Sequence, residues 1–173
     1  ARGRAEKRNF RVKSEFKDVF LAHRVDSREK AWQMPQGGID SGEDEYAAAL
    51  RELFEETGVK SVRPIAESTQ WYTYDFPAGV HFVSEKKKAY AGQTQKWFLL
   101  QFTGEESEIQ VDRKHAEFNA WKWARIEDVV DAVVDFKRDV YRQVTDEFMP
   151  FIDAVRAHDD NSVAFRRQAL DQR

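Results

Sequence analysis

The stretch GGIDSGEDEYAAALRELFEETGV, residues 37–59, decides the fold of this chain. It ends in RELFEETGV, residues 51–59, where Glu52, Glu55 and Glu56 stand at positions i, i+3 and i+4. On an α-helix these positions share one face, so the spacing brings the carboxylates together. Like charges at this spacing destabilise an isolated helix, and a hard divalent cation with oxygen ligands is their natural partner. The stretch therefore predicts an acidic helix face that holds a divalent metal ion.

The same stretch contains signals that begin and end this helix. Ser41 and Asp44 have the spacing of a capping box, and Gly58 stands where a glycine commonly terminates a helix. We therefore expect a helix from Glu43 or Asp44 to Thr57. The apolar side chains away from the carboxylates form its predicted core face: Tyr46, Leu50, Leu53 and Phe54.

Constrained positions at fixed spacing in this stretch match the signature of a known family. They are Gly37, Glu43, Arg51, Glu52, Leu53, Glu55, Glu56, Gly58 and Val59. By these residues the chain resembles the Nudix hydrolases; a merely solvated acidic helix face is the alternative. The resemblance implies an α/β protein, specifically an α/β/α sandwich with a mixed β-sheet and the acidic helix against its centre. It also implies structural roles for Gly37, Glu43, Arg51 and Gly58, with Arg51 pairing Glu43 or Glu55 to orient the helix.

Motifs outside this stretch resemble one subgroup of the family. They are WQMPQGG at 32–38, YTYDFP at 72–77, GQTQKWF at 92–98, Glu117-Phe118 with Trp121 and Trp123, and FKR at 136–138 followed by Val140-Tyr141. The subgroup contains the bacterial RNA 5′-pyrophosphohydrolases and the plant-type asymmetrical diadenosine tetraphosphate hydrolases. The similarity covers roughly residues 19–151.

The resemblance implies a metal centre and its chemistry. Mg²⁺ or Mn²⁺ would be held by Glu52, Glu55, Glu56 and Glu117, and such ions lower the pKa of their water and stabilise charge on a polyphosphate. Glu55, Glu56 and Glu117 are the catalytic candidates. Glu117, delivered from a loop, either joins the metal ligands or acts as the base.

Three cations outside the acidic helix are candidates for binding substrate phosphate. Arg24 matches a phosphate-contacting arginine of the subgroup, with a surface ion pair as the alternative. Lys96 enters a buried strand, predicted over residues 93–102, from its polar side. Lys137 follows an aromatic residue, in a position to contact phosphate beside a covered base.

Three aromatic residues are candidates for covering a nucleobase. Tyr72 and Tyr74 alternate with polar residues, so they share one face of a strand, where they either stack on a base or fill the core. Phe136 is the third candidate, because the two cations after it suit a nucleotide.

Two substrates and one non-catalytic role are consistent with these residues. The tyrosine-rich segment 71–77 and the net charge of −3 favour asymmetrical hydrolysis of diadenosine tetraphosphate to ATP and AMP. The alternative substrate is a triphosphorylated RNA 5′ end, trimmed to the monophosphate, which needs contact with only a few nucleotides. A non-catalytic scaffold or nucleotide-sensing subunit is the lesser alternative, because degenerate family members usually lose the carboxylates that this chain keeps.

Length and composition set wider bounds on the protein. With 173 residues, of which 41% are hydrophobic, the chain is predicted to form one domain with a substantial core. The absence of cysteine excludes disulfides, thiolate zinc sites and cysteine catalysis. No apolar run approaches a membrane span, so we expect no membrane partner and an intracellular location, cytoplasmic or organellar (mitochondrion or chloroplast). No feature of the sequence indicates a protein partner.

The predicted organisation is one catalytic domain between two tails. Residues 1–8 form a flexible tail or the remnant of an organelle transit peptide, and residues 9–157 form the Nudix domain. Residues 158–173 form a polar tail with at most one short helix through Arg167. The lysines at 86–88 lie in a predicted loop, either solvated or gathering phosphate.

Overall fold

The fold is that of a computed structural model, which describes residues 19–26, 32–79, 91–113, 116–158 and 164–165. Its strands are β1 (Val19–Arg24), β2 (Trp32–Gln33), β3 (Val62–Glu67), β4 (Tyr72–Asp75), β5 (Gly92–Gln95), β6 (Phe98–Phe102), β7 (Phe118–Ala124) and β8 (Ala164–Phe165). Its α-helices are α1 (Glu45–Thr57), α2 (Val129–Ala132) and α3 (Arg138–His158), with 3₁₀ turns at Glu106–Glu108, Ile126–Asp128 and Asp135–Lys137.

Among the described residues, six strands form a mixed β-sheet. The order is β2-β1-β8-β6-β3, and β7 also pairs with β1. β1 and β8 run parallel, whereas the other pairings are antiparallel. β4 and β5 form a separate two-stranded sheet. The mixed sheet expected from the sequence is present.

Helices cover both faces of the large sheet because successive strand residues point to opposite sides. In β1, Val19 and Leu21 join one hydrophobic cluster, whereas Phe20 and Ala22 join the other. The first cluster includes buried residues of α2 and α3: Val129, Val140, Tyr141, Val144 and Phe148. The second includes Ala49 and Leu53 of α1. This arrangement is the predicted α/β/α sandwich.

Helix α1 ends as predicted but begins differently. Gly58 adopts a left-handed conformation, with φ of 76°, and its N–H donates to the Phe54 carbonyl. At the other end the cap is Asp44, whose Oδ2 accepts from the Ala47 N–H at 3.0 Å. The expected capping box begun by Ser41 is therefore wrong, because Ser41 lies before the helix and Asp44 itself satisfies a free N–H of the first turn.

The core face of α1 is narrower than the sequence predicts. Leu53 is buried, whereas Tyr46 and Leu50 are only partly buried against the same cluster. Phe54 lies outside that cluster, and its ring is covered by the cations of Lys60 and Arg113, each 4.5 Å from the ring centroid. A helix surface has room for more apolar residues than one sheet can bury, so the outermost aromatic residue is covered by cations instead.

The strand predicted over residues 93–102 is two strands in different sheets. The break falls at Lys96-Trp97, where the Trp97 N–H donates to Ser68 Oγ at 3.1 Å and the Ser68 N–H donates to the Trp97 carbonyl at 2.8 Å. The partner strands β3 and β4 break at Ser68 as well. One long hairpin therefore changes sheets at the contact between Ser68 and Trp97, and Lys96 lies in the break instead of entering a strand.

Strand β7 contains a bulge that changes which of its residues share a face. The register with β1 shifts between His23 and Arg24, so that Arg24 pairs with Phe118 and His23 with Ala120. Phe118 consequently packs in the same cluster as Trp121 and Trp123, although regular alternation would place it on the opposite face. The bulged residue is Asn119, whose Oδ1 lies 3.0 Å from His23 Nδ1.

Helical spacing of Val140, Val144, Phe148, Phe151 and Val155 predicts an apolar stripe on the last helix, and the structure confirms only its first half. Val140, Val144 and Phe148 are buried, but Phe151 is 44% exposed and the stripe continues through the buried Ile152. Positions i+3 and i+4 are both neighbours of residue i on a helix surface, so periodicity admits either. Packing against the sheet selects Ile152.

The stretch after α3 contributes to the sheet. Ala164–Phe165 form β8, which pairs with both β1 and β6, where we expected at most a short helix. Pairing with strands far away in sequence is not visible in local pattern. The alternation of Phe10, Val12, Ser14 and Phe16 with polar residues predicts a half-exposed strand. That segment, the predicted N-terminal tail and the lysines at 86–88 lie outside the described residues. Within the described ranges, no helix is both long and apolar enough to cross a bilayer.

A partly buried hydrogen-bond network ties the break in the hairpin to α3. Glu147 accepts hydrogen bonds from the Thr69 N–H at 2.7 Å and from the Tyr72 hydroxyl. Burial raises the pKa of Glu147, but the bonds from Tyr72 and Thr69 and the charge of Lys96 outweigh it and hold the pKa below its usual value. The charged form of Glu147 therefore stabilises the fold.

Gly58→Ala is expected to destabilise the protein more than Gly42→Ala. Both glycines have φ of 76°, which costs a residue with a Cβ about 1–2 kcal/mol. A Cβ on Gly58 would also lie 3.1 Å from Arg113 Nη1 and from the Glu108 carbonyl, whereas a Cβ on Gly42 would meet no atom within 4 Å. Urea unfolding of both variants measures the difference, and equal losses would show that the contacts at Gly58 relax freely.

Glu147→Gln is expected to lower the free energy of unfolding at pH 7 by about 1–3 kcal/mol, because charge-assisted hydrogen bonds are lost. A lowered folded-state pKa stabilises the fold above the usual value of 4.5, and this stabilisation is lost as the pH falls from 4.5 through the lower folded-state pKa. The difference between variant and wild type should therefore shrink at acidic pH. Denaturant unfolding from pH 7 to pH 3 measures it, with the exposed Glu105→Gln as control; a pH-independent difference would contradict the prediction.

Candidate active site

Arg51, in the middle of α1, is bonded to three glutamates. Its Nε and Nη2 donate to the two oxygens of Glu43, both at 2.8 Å. Its Nη1 donates to Glu52 at 2.9 Å and to Glu55 at 3.3 Å. The hydrogen bonds to Glu43 and Glu52 raise the pKa of Arg51, so it is always charged. One guanidinium therefore compensates the like charges of the acidic face.

The loop before α1 is hydrogen-bonded to Arg51 and to its partner Glu43. Arg51 Nη2 also donates to the Gly38 carbonyl at 3.0 Å, and Glu43 Oε2 accepts from the Asp40 N–H at 2.9 Å. Because a planar guanidinium donates in fixed directions, these bonds set the angle between loop and helix.

The acidic residues of α1 differ in their surroundings. Glu56 is only 9% exposed, and its Oε2 accepts from the Gln36 N–H at 3.1 Å. The side chain of Glu55 is 56% exposed and that of Glu52 is 18% exposed. Glu56 is thus held in one orientation from the loop, whereas Glu55 faces water.

Arg24 lies in the electrostatic field of two predicted site residues. Its hydrogen bond to Asp26 raises the pKa of Arg24, burial opposes the shift, and the charges of Glu117 and Glu56 add to it. The ion pair with Asp26 is tight, with Nη2 to Oδ2 at 2.6 Å. Glu117 is exposed, and its carbonyl accepts from the Val25 N–H at 3.0 Å. The structure therefore brings Arg24, Glu56 and Glu117 into one neighbourhood.

The glutamates fit a divalent ion in chemistry, since carboxylate oxygens are the donors that hard cations prefer. Through the part of the chain that the structure describes, however, no three acidic, histidine or cysteine side chains are grouped closely enough to hold a metal. Glu52 and Glu55 are directed to Arg51 instead. Among the described residues, the predicted ligands therefore do not form a closed ligand set.

Lys137 is buried and connects the loop before α1 to the turn before α3. It is 6% exposed, and its Nζ donates to Gln33 Oε1 at 3.0 Å and to Gln36 Oε1 at 3.3 Å. Gln36 in turn binds Glu56 through its N–H. The Tyr141 hydroxyl accepts from the Met34 N–H at 3.0 Å and holds the same loop. Lys137 therefore reaches the acidic helix through Gln36.

Two of the predicted base-covering residues meet in an aromatic cluster beside Lys137. The ring centroids of Tyr74 and Phe136 are 5.6 Å apart, and Phe76 lies 5.9 Å from Tyr74 and 6.2 Å from Phe136. Lys137 Nζ is 5.8 Å from the Tyr74 centroid. Tyr74 is only 6% exposed, and burial raises the pKa of its hydroxyl well above the usual value. Phe136 and Phe76 are the partly exposed rings of this cluster.

Lys96 lies in the hairpin break and Tyr72 begins the strand next to it, and both have protein partners. Tyr72 is 6% exposed and bonded to Glu147, and Lys96 Nζ donates to the Ser68 carbonyl at 2.5 Å and lies 3.9 Å from Glu67. A buried ring offers no face to a base. These two residues support the fold in this arrangement.

Sequence reasoning passed over the glutamines of the WQMPQGG motif. Gln33 and Gln36 hold Lys137, and the backbone of Gln36 holds Glu56. Two glutamines close together in an otherwise apolar segment indicate a polar partner nearby, because buried amides require hydrogen-bonding partners.

Comparison with known proteins identifies the family. The model of the NUDIX domain matches residues 9–144. Similar curated proteins include three named RNA pyrophosphohydrolase. That of Dinoroseobacter shibae is 47% identical over 78% of this chain and 84% of its own length, and that of Pelagibacter ubique is 46% identical over 75% and 81%. The protein of Bartonella clarridgeiae is 48% identical over 74% of this chain and 76% of its own length.

A solved structure shares the fold. The Ap4A hydrolase of C. elegans, determined as a binary complex, superposes with a TM-score of 0.51 over 76% of this chain and 86% of that chain. Its sequence identity of 21% shows likeness of fold alone. The fold predicted from residues 37–59 is thereby confirmed. The chain belongs to the NUDIX family, whose hydrolases act on phosphoric anhydride bonds and generally use divalent metal ions.

Proposed function

We propose that this protein is a metal-dependent RNA 5′-pyrophosphohydrolase. In the proposed reaction, water attacks phosphorus at a triphosphorylated RNA 5′ end, which leaves the 5′-monophosphate and releases pyrophosphate. The observation that carries the proposal is the buried Glu56, which the Gln36 N–H holds on a helix that keeps every carboxylate of the Nudix signature. The charges of Glu56 and Glu117 both act on Arg24. The name shared by relatives 46–48% identical supports RNA as the substrate.

The metal of the proposed reaction is Mg²⁺ or Mn²⁺, held by Glu52, Glu55, Glu56 and Glu117. When bound, it neutralises phosphate charge and lowers the pKa of a water. Such a cation would compete with Arg51 for Glu52 and Glu55, because both carboxylates accept from Arg51 Nη1. Arg51 keeps both oxygens of Glu43 and the Gly38 carbonyl, so the helix retains its orientation.

The protein supplies a proton acceptor and fixed positive charge. Glu56 is the carboxylate best suited to accept the proton of the attacking water, because burial and the Gln36 N–H hold it in one orientation. Arg24, beside Glu56 and Glu117, binds a phosphate of the 5′ end. Lys137 adds its charge and holds Gln36, while Phe136 covers the first base.

The second candidate substrate is diadenosine tetraphosphate, which the tyrosine-rich segment 71–77 and the net charge of −3 favour. The structure removes part of that reasoning, since Tyr72 and Tyr74 are each only 6% exposed and do not offer free stacking faces. The similarity to the Ap4A hydrolase, at 21% sequence identity, concerns the fold and carries no argument about the substrate. The retained carboxylates speak against the scaffold alternative.

With Mg²⁺, wild type is expected to convert a short 5′-triphosphorylated RNA to the monophosphate faster than it cleaves diadenosine tetraphosphate. Glu56→Gln should lower kcat about a hundredfold or more, because it removes a charged ligand and proton acceptor. Chromatography of the products measures both reactions, and removal of the metal with EDTA should abolish them.

The matched control is Glu45→Gln, which removes an exposed charge from the first turn of the same helix and should leave kcat unchanged. Preferential release of ATP and AMP from diadenosine tetraphosphate would assign the dinucleotide instead. Turnover of neither substrate, with Glu56→Gln equal to wild type, would favour the scaffold.

A further inference from the structure

Four side chains from three strands form a surface patch around the ring of Trp32; they are His23, Trp32, Asn119 and Lys122, and we name them the Trp32 patch. The His23 ring meets the Trp32 ring edge-on, with centroids 5.2 Å apart and an angle of 70° between the planes. Lys122 Nζ lies 4.1 Å from the Trp32 centroid. Asn119 Oδ1 lies 3.0 Å from His23 Nδ1. The patch therefore combines an aromatic ring with a cation and two hydrogen-bonding groups.

Strand pairing brings these residues together at one end of the large sheet. His23 pairs with Trp32 of β2 on one side and with Ala120 of β7 on the other, and Lys122 pairs with Leu21. Leu21 belongs to the hydrophobic cluster that α2 and α3 complete, and Trp32 packs against the same cluster. Alternate and directly paired residues share a face of a sheet. The patch thus lies on the α3 side of the sheet, where Lys122 is exposed to solvent.

The Trp32 patch borders the place where the 5′ phosphates are proposed to bind. His23 directly precedes Arg24, which is the last residue of β1. Trp32 directly precedes Gln33, whose Oε1 accepts from Lys137 Nζ at 3.0 Å. Each of the two proposed phosphate-binding cations is thus joined to the patch through its own residue or one hydrogen bond.

The guanidinium of Arg24 lies on the same side of the sheet as the patch. Burial raises the pKa of the Tyr74 hydroxyl, and the charge of Arg24 opposes that shift. A charge acts strongly only over a short distance, so Arg24 lies near the Tyr74 hydroxyl. Tyr74 is a member of the cluster against which Trp32 packs. One bound strand can therefore contact both Arg24 and the patch.

The charges in the strands of the patch favour an anionic ligand. β1, β2 and β7 include His23, Arg24 and Lys122 but no aspartate or glutamate, although the chain has 31 acidic and 28 basic residues. Beyond the ends of these strands, Asp26 is paired with Arg24, and Glu117 is a proposed metal ligand. A surface of one sign attracts a ligand of the opposite sign.

We infer that the Trp32 patch binds the RNA strand downstream of the nucleotide that Phe136 covers, with Lys122 on a backbone phosphate and Trp32 stacked on a base. Single-stranded RNA is bound by aromatic rings that stack on bases and by cations along its backbone. Because Lys122 is exposed, its ammonium can move from the ring to a phosphate while a base takes its place. The inference rests on the proposed function and extends its substrate contact beyond the 5′ end.

The first test compares triphosphorylated RNAs of two lengths. Lys122→Ala should raise KM about threefold to tenfold for an RNA of six nucleotides and less than twofold for one of two nucleotides, because only the longer strand reaches the patch. Lys122→Glu should raise KM for the longer RNA further, and Lys122→Arg, which keeps the charge, should restore it. An equal change for both lengths, or no change for either, would overturn the inference.

The second test measures binding without turnover. A six-nucleotide RNA with a 5′-monophosphate is the product of the proposed reaction, and its affinity is followed by fluorescence anisotropy of a 3′ label at several salt concentrations and constant Mg²⁺. Loss of one phosphate contact should lower the slope of log K against log salt by about 0.7 in Lys122→Ala. An affinity and slope equal to those of wild type would contradict the inference.

Lys60→Ala is the matched control, since Lys60 is an exposed lysine whose Nζ lies 4.5 Å from the centroid of the Phe54 ring, at the C-terminal end of α1. It should leave both KM values and the salt slope unchanged. Equal losses in Lys60→Ala and Lys122→Ala would assign the effect to net charge and overturn the inference. If wild type hydrolyses neither substrate, the proposed function fails, and the anisotropy measurement still decides whether the patch binds RNA.

Discussion

The charge balance around Arg51 is the interaction on which the rest of the site depends. Glu52, Glu55 and Glu56 are close enough to repel one another on one helix face, by a few tenths of a kcal/mol per pair. Arg51 is bonded to Glu52 and Glu55 from within that face and takes both oxygens of Glu43 as well. The acidic helix is therefore stable before a metal ion arrives, with its angle to the preceding loop already set by the same guanidinium.

The loop before α1 connects the two faces of the sandwich through hydrogen bonds of Gln36. Gln36 binds Glu56 of α1 through its N–H and Lys137 through its side chain. Lys137 stands beside Tyr74 and Phe136, which belong to the opposite face of the sheet. The acidic face and the aromatic cluster are thus connected through the two hydrogen bonds of Gln36.

Features that depend on near neighbours in sequence were predictable. The spacing of the glutamates, the glycine at the end of α1 and the alternation of Tyr72 with Tyr74 follow from helix and strand periods, and the structure has each of them. The residue that caps the N-terminus of α1 was less predictable. Both Ser41 and Asp44 have suitable side chains, and only the path of the loop selects Asp44. Lys96 shows the same limit, because its partner Ser68 comes from another strand.

The sequence alone determined the family, the acidic helix and the residue types available for metal, phosphate and base, because these depend on covalent spacing and side-chain chemistry. Only the tertiary structure decided which of them come together. It placed Arg24 near Glu56 and Glu117, directed Tyr72 to Glu147, and used the bulge at Asn119 to bury Phe118 beside Trp121. The physical reason is that contacts between residues distant in sequence are selected by packing and hydrogen-bond satisfaction over the whole chain, which local periodicity does not encode.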